Sequence, residues 1–434
     1  MKNEVHISFV VFLSMLFTSL SAQTWNTADT LLSNNISQYN GNVVAMVMHN
    51  DSLVYYKAIG TYDSLTQKSI ASLTKSFSGA VILRLAQEGA LNLNDSIGVY
   101  LPYATAMGKG SNTIRQNFSH TAGWEGTTGN TYLTNPSLNM QQCVDSIITY
   151  DPIIYTPGTM FKYTGVSMQV AGRAAEIATG QNWNTLWENK IKNPLGLTNT
   201  KFGVITNPRV AGGLVSTPSD IIKFAQFILK NGKDKNGVQV VDSIWMQEMW
   251  QDQTNLAPII AMPYPFNPQY NNPYGADTIR YGIGTWLDIY NRTQSYQEQI
   301  SGGGAFGSIM WVNRCNNTCG VIFTYSSYSN VVQTSFQVID VVNTIYPNQC
   351  YQTTSISENK NESTIFIYPN PATDMVHLQT ENEIIKSIKI FNVQGEFIQK
   401  YFTNDFSVTN LAQGIYFIRV ETDKSDFTNK LIKQ

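Results

Sequence analysis

Ser72 and Lys75 stand three residues apart in Ser72-Leu73-Thr74-Lys75. On a helix that spacing puts both side chains on one face, a turn apart. A serine hydroxyl is a weak nucleophile and needs a base. A lysine buried beside it loses solvation, its pKa falls, and it can take or relay the proton. The chemistry such a pair can do is acyl transfer through a covalent serine intermediate. A second group stands in Thr156-Pro157-Gly158-Thr159-Met160-Phe161-Lys162-Tyr163-Thr164-Gly165. Tyr163 lies just ahead of a predicted helix that ends at Gly180. A tyrosine near an ammonium can have a lowered pKa and act as general base. Spacing alone is weak evidence, because Ser357-Glu358-Asn359-Lys360 repeats it in a polar stretch.

What singles out Ser72 is the element behind it. Phe77, Ala80, Val81, Ile82, Leu85 and Ala86 nearly encircle a helix that Gly89 stops. A helix apolar on most faces belongs in the centre of a protein. Ser72 then sits at its positive end, where backbone N–H groups are free. Residues 41–60 read as a β-hairpin, with Val43, Val44, Met46 and Met48 ahead of Asn50-Asp51, and Leu53, Val54, Tyr55 and Tyr56 after it. Strands are predicted over 308–313 and 319–325, and a helix over 329–346. The expected fold is α/β: an antiparallel sheet built from 41–62 and 281–327, flanked by helices, with a mostly helical insertion between. The Pro/Tyr-rich segment 258–275 is either a lid over the cleft or an ordinary surface loop.

Composition removes other chemistries. The chain has 4 histidines, none two or four residues from another, so a zinc hydrolase with paired histidines is excluded and no metal is expected. The pattern G-x-S-x-G is absent, which argues against a nucleophile-elbow triad. No cofactor is expected. Lys+Arg 28 against Asp+Glu 30 leaves a net charge of −2, so no nucleic-acid partner is expected. With 434 residues and 42% hydrophobic residues, the chain is long enough for more than one domain.

The ends differ from the middle. Apolar residues 7–20 precede Ser21-Ala22-Gln23, too short to span a bilayer and fitting a signal peptide over 1–22. No later stretch is long enough to cross a membrane, so no transmembrane segment is expected in the mature chain. A first domain is expected over 23–350, a polar linker over 351–363, and short turn-separated strands of a small β-sandwich over 364–434. Cys143, Cys315, Cys319 and Cys350 are an even set in an exported chain, which favours disulfides. Cys315 and Cys319 flank a predicted hairpin turn. Of the three possible pairings the expected one is Cys315–Cys319 with Cys143–Cys350, and the alternative is four free buried thiols.

Two resemblances add to this reading. Tyr368-Pro369-Asn370-Pro371-Ala372-Thr373-Asp374, Ile390-Phe391-Asn392-Val393-Gln394-Gly395, Leu411-Ala412-Gln413-Gly414-Ile415-Tyr416-Phe417 and Lys430-Leu431-Ile432-Lys433 resemble the type IX (Por) secretion C-terminal sorting domain. That resemblance implies the type IX machinery as partner and a secreted or cell-surface location, reached through the periplasm.

The middle resembles the serine β-lactamase-related superfamily, in its class C β-lactamase, D-alanyl-D-alanine carboxypeptidase and esterase branch. The matching stretches keep the family's order: Ser72-Leu73-Thr74-Lys75; Thr113-Ile114-Arg115-Gln116 with Ser119-His120-Thr121-Ala122-Gly123; Pro157-Gly158-Thr159 with Tyr163; Asn193-Pro194-Leu195-Gly196-Leu197; and Ala211-Gly212-Gly213-Leu214-Val215-Ser216-Thr217. It implies that Ser72 attacks, that Lys75 and Tyr163 move protons, and that the amides of Ser72 and Gly304 hold the oxyanion. A register one residue later would give that role to Ala305. His120 then reads as a structural residue in a turn. The family's Tyr-x-Asn has Gly165 in place of Asn. Its strand motif of a cation, a small residue and glycine has Ser301 in the cation's place within Ser301-Gly302-Gly303-Gly304. Gly302 and Gly303 still let backbone approach a substrate. The expected substrate is a small-molecule or peptide ester or amide without the carboxylate that the cation normally holds. The alternatives are a β-lactamase or D-Ala-D-Ala carboxypeptidase, and a catalytically weak surface binding protein of the same fold.

Overall fold

The structure is a computed structural model that describes residues 25–261, 280–291, 296–350, 365–380, 383–393, 395–424 and 426–434. The expected signal peptide 1–22, most of the candidate lid 258–275 and the expected linker 351–363 lie outside the described residues. The chain divides into two compact units, Met1–Cys350 and Tyr351–Gln434.

The first unit is built on a six-stranded antiparallel sheet. Its strands are β1 (Val43–His49), β2 (Ser52–Ile59), β3 (Trp286–Asn291), β4 (Tyr296–Gly303), β5 (Ile309–Asn313) and β6 (Thr318–Phe323). Their order is β2-β1-β6-β5-β4-β3. The predicted hairpin is present: Asn50 and Asp51 turn it with φ 46° and 66°, the positive values that a tight two-residue turn demands. Val44 pairs with Phe323, so N- and C-terminal segments share one sheet. Central strands β5 and β6 are buried throughout, because helices cover both faces.

On one face lies α1 (Thr74–Gln87), buried at nearly every position as its apolar pattern requires. Leu73 and Phe77 pack there with Val44, Met46, Met310 and Val312. The helical insertion adds α2 (Val166–Thr179) and α3 (Pro218–Leu229) to the same core. Gly180 closes α2 in the left-handed conformation, φ 68°. The other face is covered by α4 (Tyr328–Ile345), whose Val331, Val338 and Ile339 pack on Ala45, Ile309 and Trp311.

The second unit holds two antiparallel sheets, as expected of a small β-sandwich. One has the order β7 (Ile365–Tyr368), β8 (Met375–Thr380), β11 (Asp405–Ser407). The other runs β10 (Phe397–Tyr401), β9 (Ile385–Phe391), β12 (Gly414–Thr422), β13 (Asp426–Lys433). Val376, Leu378, Ile388, Ile390, Ile418, Val420 and Leu431 form its core. Strand β11 carries no sequence signal, being only 3 residues long.

The cysteine pairing needs correction. The disulfide joins Cys315 to Cys350, with Cα atoms 4.9 Å apart, and Cys143 and Cys319 are free and buried. Cys319 lies within β6 opposite Val312, among the apolar residues on the α1 side. Cys315 lies in the turn, where the Gln349 N–H donates to its carbonyl at 2.7 Å and brings Cys350 alongside. Cys143, on the helix Met140–Tyr150, packs into the α1-side core.

Candidate active site

Ser72 sits in a single 3₁₀ turn, Ala71–Leu73, that runs into α1. Ala71 has φ 43°, a conformation that costs a residue with a Cβ about 1 kcal/mol or more. The surroundings hold it there. The Ile70 N–H donates to the Leu214 carbonyl at 3.0 Å. The Leu214 N–H donates to Thr74 Oγ1 at 3.1 Å, and Ser78 Oγ donates to the Val210 carbonyl at 2.6 Å. The segment 210–214 is thus stapled to the first turns of α1.

Lys75 completes that staple. Its Nζ donates to Ser72 Oγ at 2.9 Å and to the Ala211 carbonyl at 2.9 Å. The residue is 3% exposed. Burial, and then the positive charge of Arg209, push its pKa down to about 7. A lysine in that state exchanges a proton near neutrality.

Tyr163 is brought to the same place. The Lys75 Nζ lies 4.5 Å from the centre of its ring. The ring stacks on Trp286 at 5.2 Å and lies 4.3 Å from the His120 ring. The strand Phe161–Lys162 ahead of it is fixed by the Phe161 N–H donating to the Pro258 carbonyl and the Lys162 N–H to the His120 carbonyl, each at 2.9 Å. His120 is buried, with φ 61°. Burial first, and then the Lys75 charge, hold its pKa well below the usual imidazole value. A neutral ring packed on Tyr163 shapes the loop that carries the tyrosine.

Strand β4 departs from the expected register. Ser301 pairs with Trp311 on the α4 face, and its Oγ donates to Asp288 Oδ1 at 2.9 Å. Ser301 does not line the cleft. Gly302, opposite Met310, faces α1: a Cβ there would stand 2.7 Å from Leu73 Cδ1 and Ser76 Oγ. Gly303 points back to the α4 face, where a Cβ would meet the Tyr328 ring at 2.7 Å. Alternation along a strand is strict, so a shift of one residue exchanges the faces. The backbone amides after the strand differ in what they bond. The Gly304 N–H is spent on the Ser308 carbonyl at 2.9 Å, and the Gly307 N–H on the Gly304 carbonyl at 2.8 Å. Ala305 takes no amide part in that bonding and lines the cleft with Ser72. A Cβ on Gly304 would lie 2.1 Å from the Ile70 carbonyl oxygen, so glycine is required where β4 meets the serine turn.

The cleft has a volume of about 490 Å³. Ser72, Lys75, Tyr163, Gly165, Ala305 and Phe306 line it. Gly165 leaves its wall to Leu133, whose Cδ1 stands 3.1 Å from where a Cβ would be. The sequence reading missed Arg209, which lines the cleft, and the Ala211 carbonyl. The Ala211-Gly212-Gly213 motif was the only signal near them. Among the described residues no group of His, Cys, Asp and Glu side chains is placed to hold a metal ion. No described helix is long and apolar enough to cross a membrane.

Comparison with known proteins bears on this geometry. The Beta-lactamase family model matches residues 32–339, and the Secretion system C-terminal sorting domain model matches 366–434. Protein flp of Staphylococcus aureus (strain N315) is 34% identical over 146 residues, 33% of this chain and 29% of flp. The lovastatin esterase of Penicillium rubens is 25% identical over 224 residues, 43% of this chain and 55% of the esterase. The chain thus spans less than a third of flp and about half of the esterase. The crystal structure of a β-lactamase-type protein from Bacteroides dorei DSM 17855 superposes with a TM-score of 0.63 at 27% identity, covering 74% of this chain and 99% of that one.

Proposed function

This chain belongs to the Beta-lactamase family and carries a secretion sorting domain, and on that footing we propose that it is an exported serine hydrolase acting through an acyl-enzyme on an ester or small amide. The observation that carries the reading is the 2.9 Å contact of Lys75 Nζ with Ser72 Oγ, made by a lysine whose pKa is pushed down to about 7. The neutral amine takes the hydroxyl proton as Ser72 Oγ attacks the carbonyl carbon. The oxyanion of the tetrahedral intermediate is held by the amides of Ser72 and Ala305. Lys75 and Tyr163 return the proton to the leaving group as the C–O or C–N bond breaks. A water, deprotonated by the same pair, then adds to the acyl carbon. Collapse frees the acid and restores Ser72.

Strand β4 supports an esterase-like substrate over a β-lactam. No residue of β4 lines the cleft; the lining after it is Ala305 and Phe306, neither of which supplies a cation. The similarity to a lovastatin esterase points the same way. The signal peptide over 1–22 and the sorting domain would deliver the enzyme to the cell surface or beyond. The test is a turnover panel of short-chain esters, a D-Ala-D-Ala peptide and a chromogenic cephalosporin, with covalent labelling by a fluorescent serine-reactive phosphonate. Ester turnover with the label on Ser72 is the expected result. A protein that is not labelled at Ser72 and turns over nothing is a binding module, and the reading fails.

A further inference from the structure

We propose that Arg209 selects substrates bearing an acidic group, so that the preferred ester or amide carries a carboxylate on the part bound beside Ser72. This rests on the hydrolase reading and deepens it. The charges of the cleft are unbalanced. Among the described residues its lining holds three cationic side chains, Lys75, Lys162 and Arg209, against one carboxylate, Glu125. Glu125 is already engaged: Lys162 Nζ donates to it at 3.3 Å, and the Thr127 N–H and hydroxyl each donate at 2.7 Å. Lys75 is committed to Ser72 and Ala211. The Arg209 guanidinium has no hydrogen bond or ion pair with any side chain among the described residues.

Arg209 is also close to the reacting centre. Its Nη2 lies 3.8 Å from where a Cβ on Gly212 would stand, and that same point is 3.7 Å from the carbonyl carbon of Ala71, the residue before Ser72. Its charge is near enough to lower the pKa of Lys75. With Lys75 neutral, the Arg209 charge stands unbalanced in a partly enclosed cleft, and a bound anion balances it. A guanidinium presents paired N–H donors that match a carboxylate. Phe306 and Leu133 give the cleft apolar wall for the chain between carboxylate and scissile bond. Binding an acid here needs no cation on strand β4, no residue of which lines the cleft.

The test compares esters of equal length, 4-nitrophenyl hexanoate and the mono-4-nitrophenyl ester of adipic acid. The wild-type protein should prefer the adipate half-ester, with a KM that rises with salt. Arg209→Gln should lower the ratio of kcat/KM for half-ester over hexanoate by about 10-fold or more, and Arg209→Lys should restore part of it. Calorimetry in a Ser72→Ala background, with adipamic acid against hexanamide, reads the same preference without turnover. An unchanged ratio in Arg209→Gln, with the pH profile moved equally for both esters, would show that Arg209 only tunes Lys75 and would overturn the proposal. Equal binding of adipamic acid and hexanamide would overturn it as well. Failure of both esters to turn over, with adipamic acid still preferred, would instead remove the hydrolase reading and leave the acid site standing.

Discussion

Lys75 holds Ser72 Oγ and the Ala211 carbonyl at the same distance, 2.9 Å each. A neutral amine has one lone pair and two N–H groups. The carbonyl accepts one N–H and so fixes the nitrogen. On the proposed mechanism the neutral amine turns its lone pair to the serine proton along the same 2.9 Å contact through which the ammonium donates. The Ala211 segment is thus part of the proton-transfer geometry of that mechanism, although it lies far from Ser72 in sequence.

Ser72→Ala should abolish acyl-enzyme formation and leave the fold intact. Removing one oxygen leaves little cavity, whereas losing one member of a unit that acts together removes most of the rate. Intact-mass measurement after phosphonate treatment checks this. An adduct of equal yield on another serine, such as Ser119, would end the assignment.

Activity on a neutral ester should rise through about pH 7, the value to which burial and Arg209 push Lys75. Below it the amine is protonated and cannot accept the serine proton. The sign for stability follows from the same shift. Between about 7 and the ordinary lysine pKa of 10.5 the unfolded chain binds the proton and the native state does not, so this group's contribution to stability grows as pH rises across that window. Below it, the native state holds a charge in a dry site. Lys75→Met should thus be inactive, yet at pH 6 melt about 2–5 °C higher than the wild type. A variant that melts lower would show that the two hydrogen bonds outweigh the burial of the charge.

Ser301→Lys should not create binding for carboxylate substrates, because this position faces Asp288 across from the cleft. Burial raises the Asp288 pKa to about 7, opposed by hydrogen bonds from Ser301 and Gln299. The new lysine would pair with Asp288. Gly302→Ala should cost stability, since its Cβ would press on Leu73 and Ser76 at 2.7 Å. Kinetics with the paired esters above, and thermal melts of both variants, read these outcomes.

Non-reducing peptide mapping should recover Cys315 joined to Cys350. Cys143 and Cys319 should be alkylated only after unfolding, since burial pushes the Cys143 thiol up to about 11 and raises that of Cys319 further. The bridge closes a separation of 35 residues. Replacing both bridged cysteines by serine should then cost about 3–4 kcal/mol on the chain-entropy account. A cross-linked Cys315–Cys319 peptide would contradict the structure.

The sequence made legible what is local. The Ser72–Lys75 spacing, the turn at Asn50-Asp51, the encircled helix and the stop at Gly180 are each set by neighbours within a turn or two. The fold class followed from those patterns together with the family motifs. Ser301 was misplaced because a strand's face depends on which strand it pairs with, and three glycines carry no hydrophobic signal to fix the register. The cysteine pairing failed for a related reason. Cys319 looks like a turn residue in sequence, yet it is the second residue of β6 and turns into the core. Arg209 was invisible because its relation to Ser72 is made by a loop that closes over a long separation. No local pattern marks it.

The Cys315–Cys350 bridge has a mechanical consequence. Cys350 is the last residue of the first unit, so any pull exerted from the tail enters that unit there. The covalent link passes the load straight to the hairpin between β5 and β6, in the middle of the sheet. Helix α4, which lies between the two cysteines in sequence, is bypassed. Tension applied to the tail therefore cannot peel α4 from the sheet like tape from its free edge. The bond acts as a strain relief, of the kind fitted where a cable enters its housing.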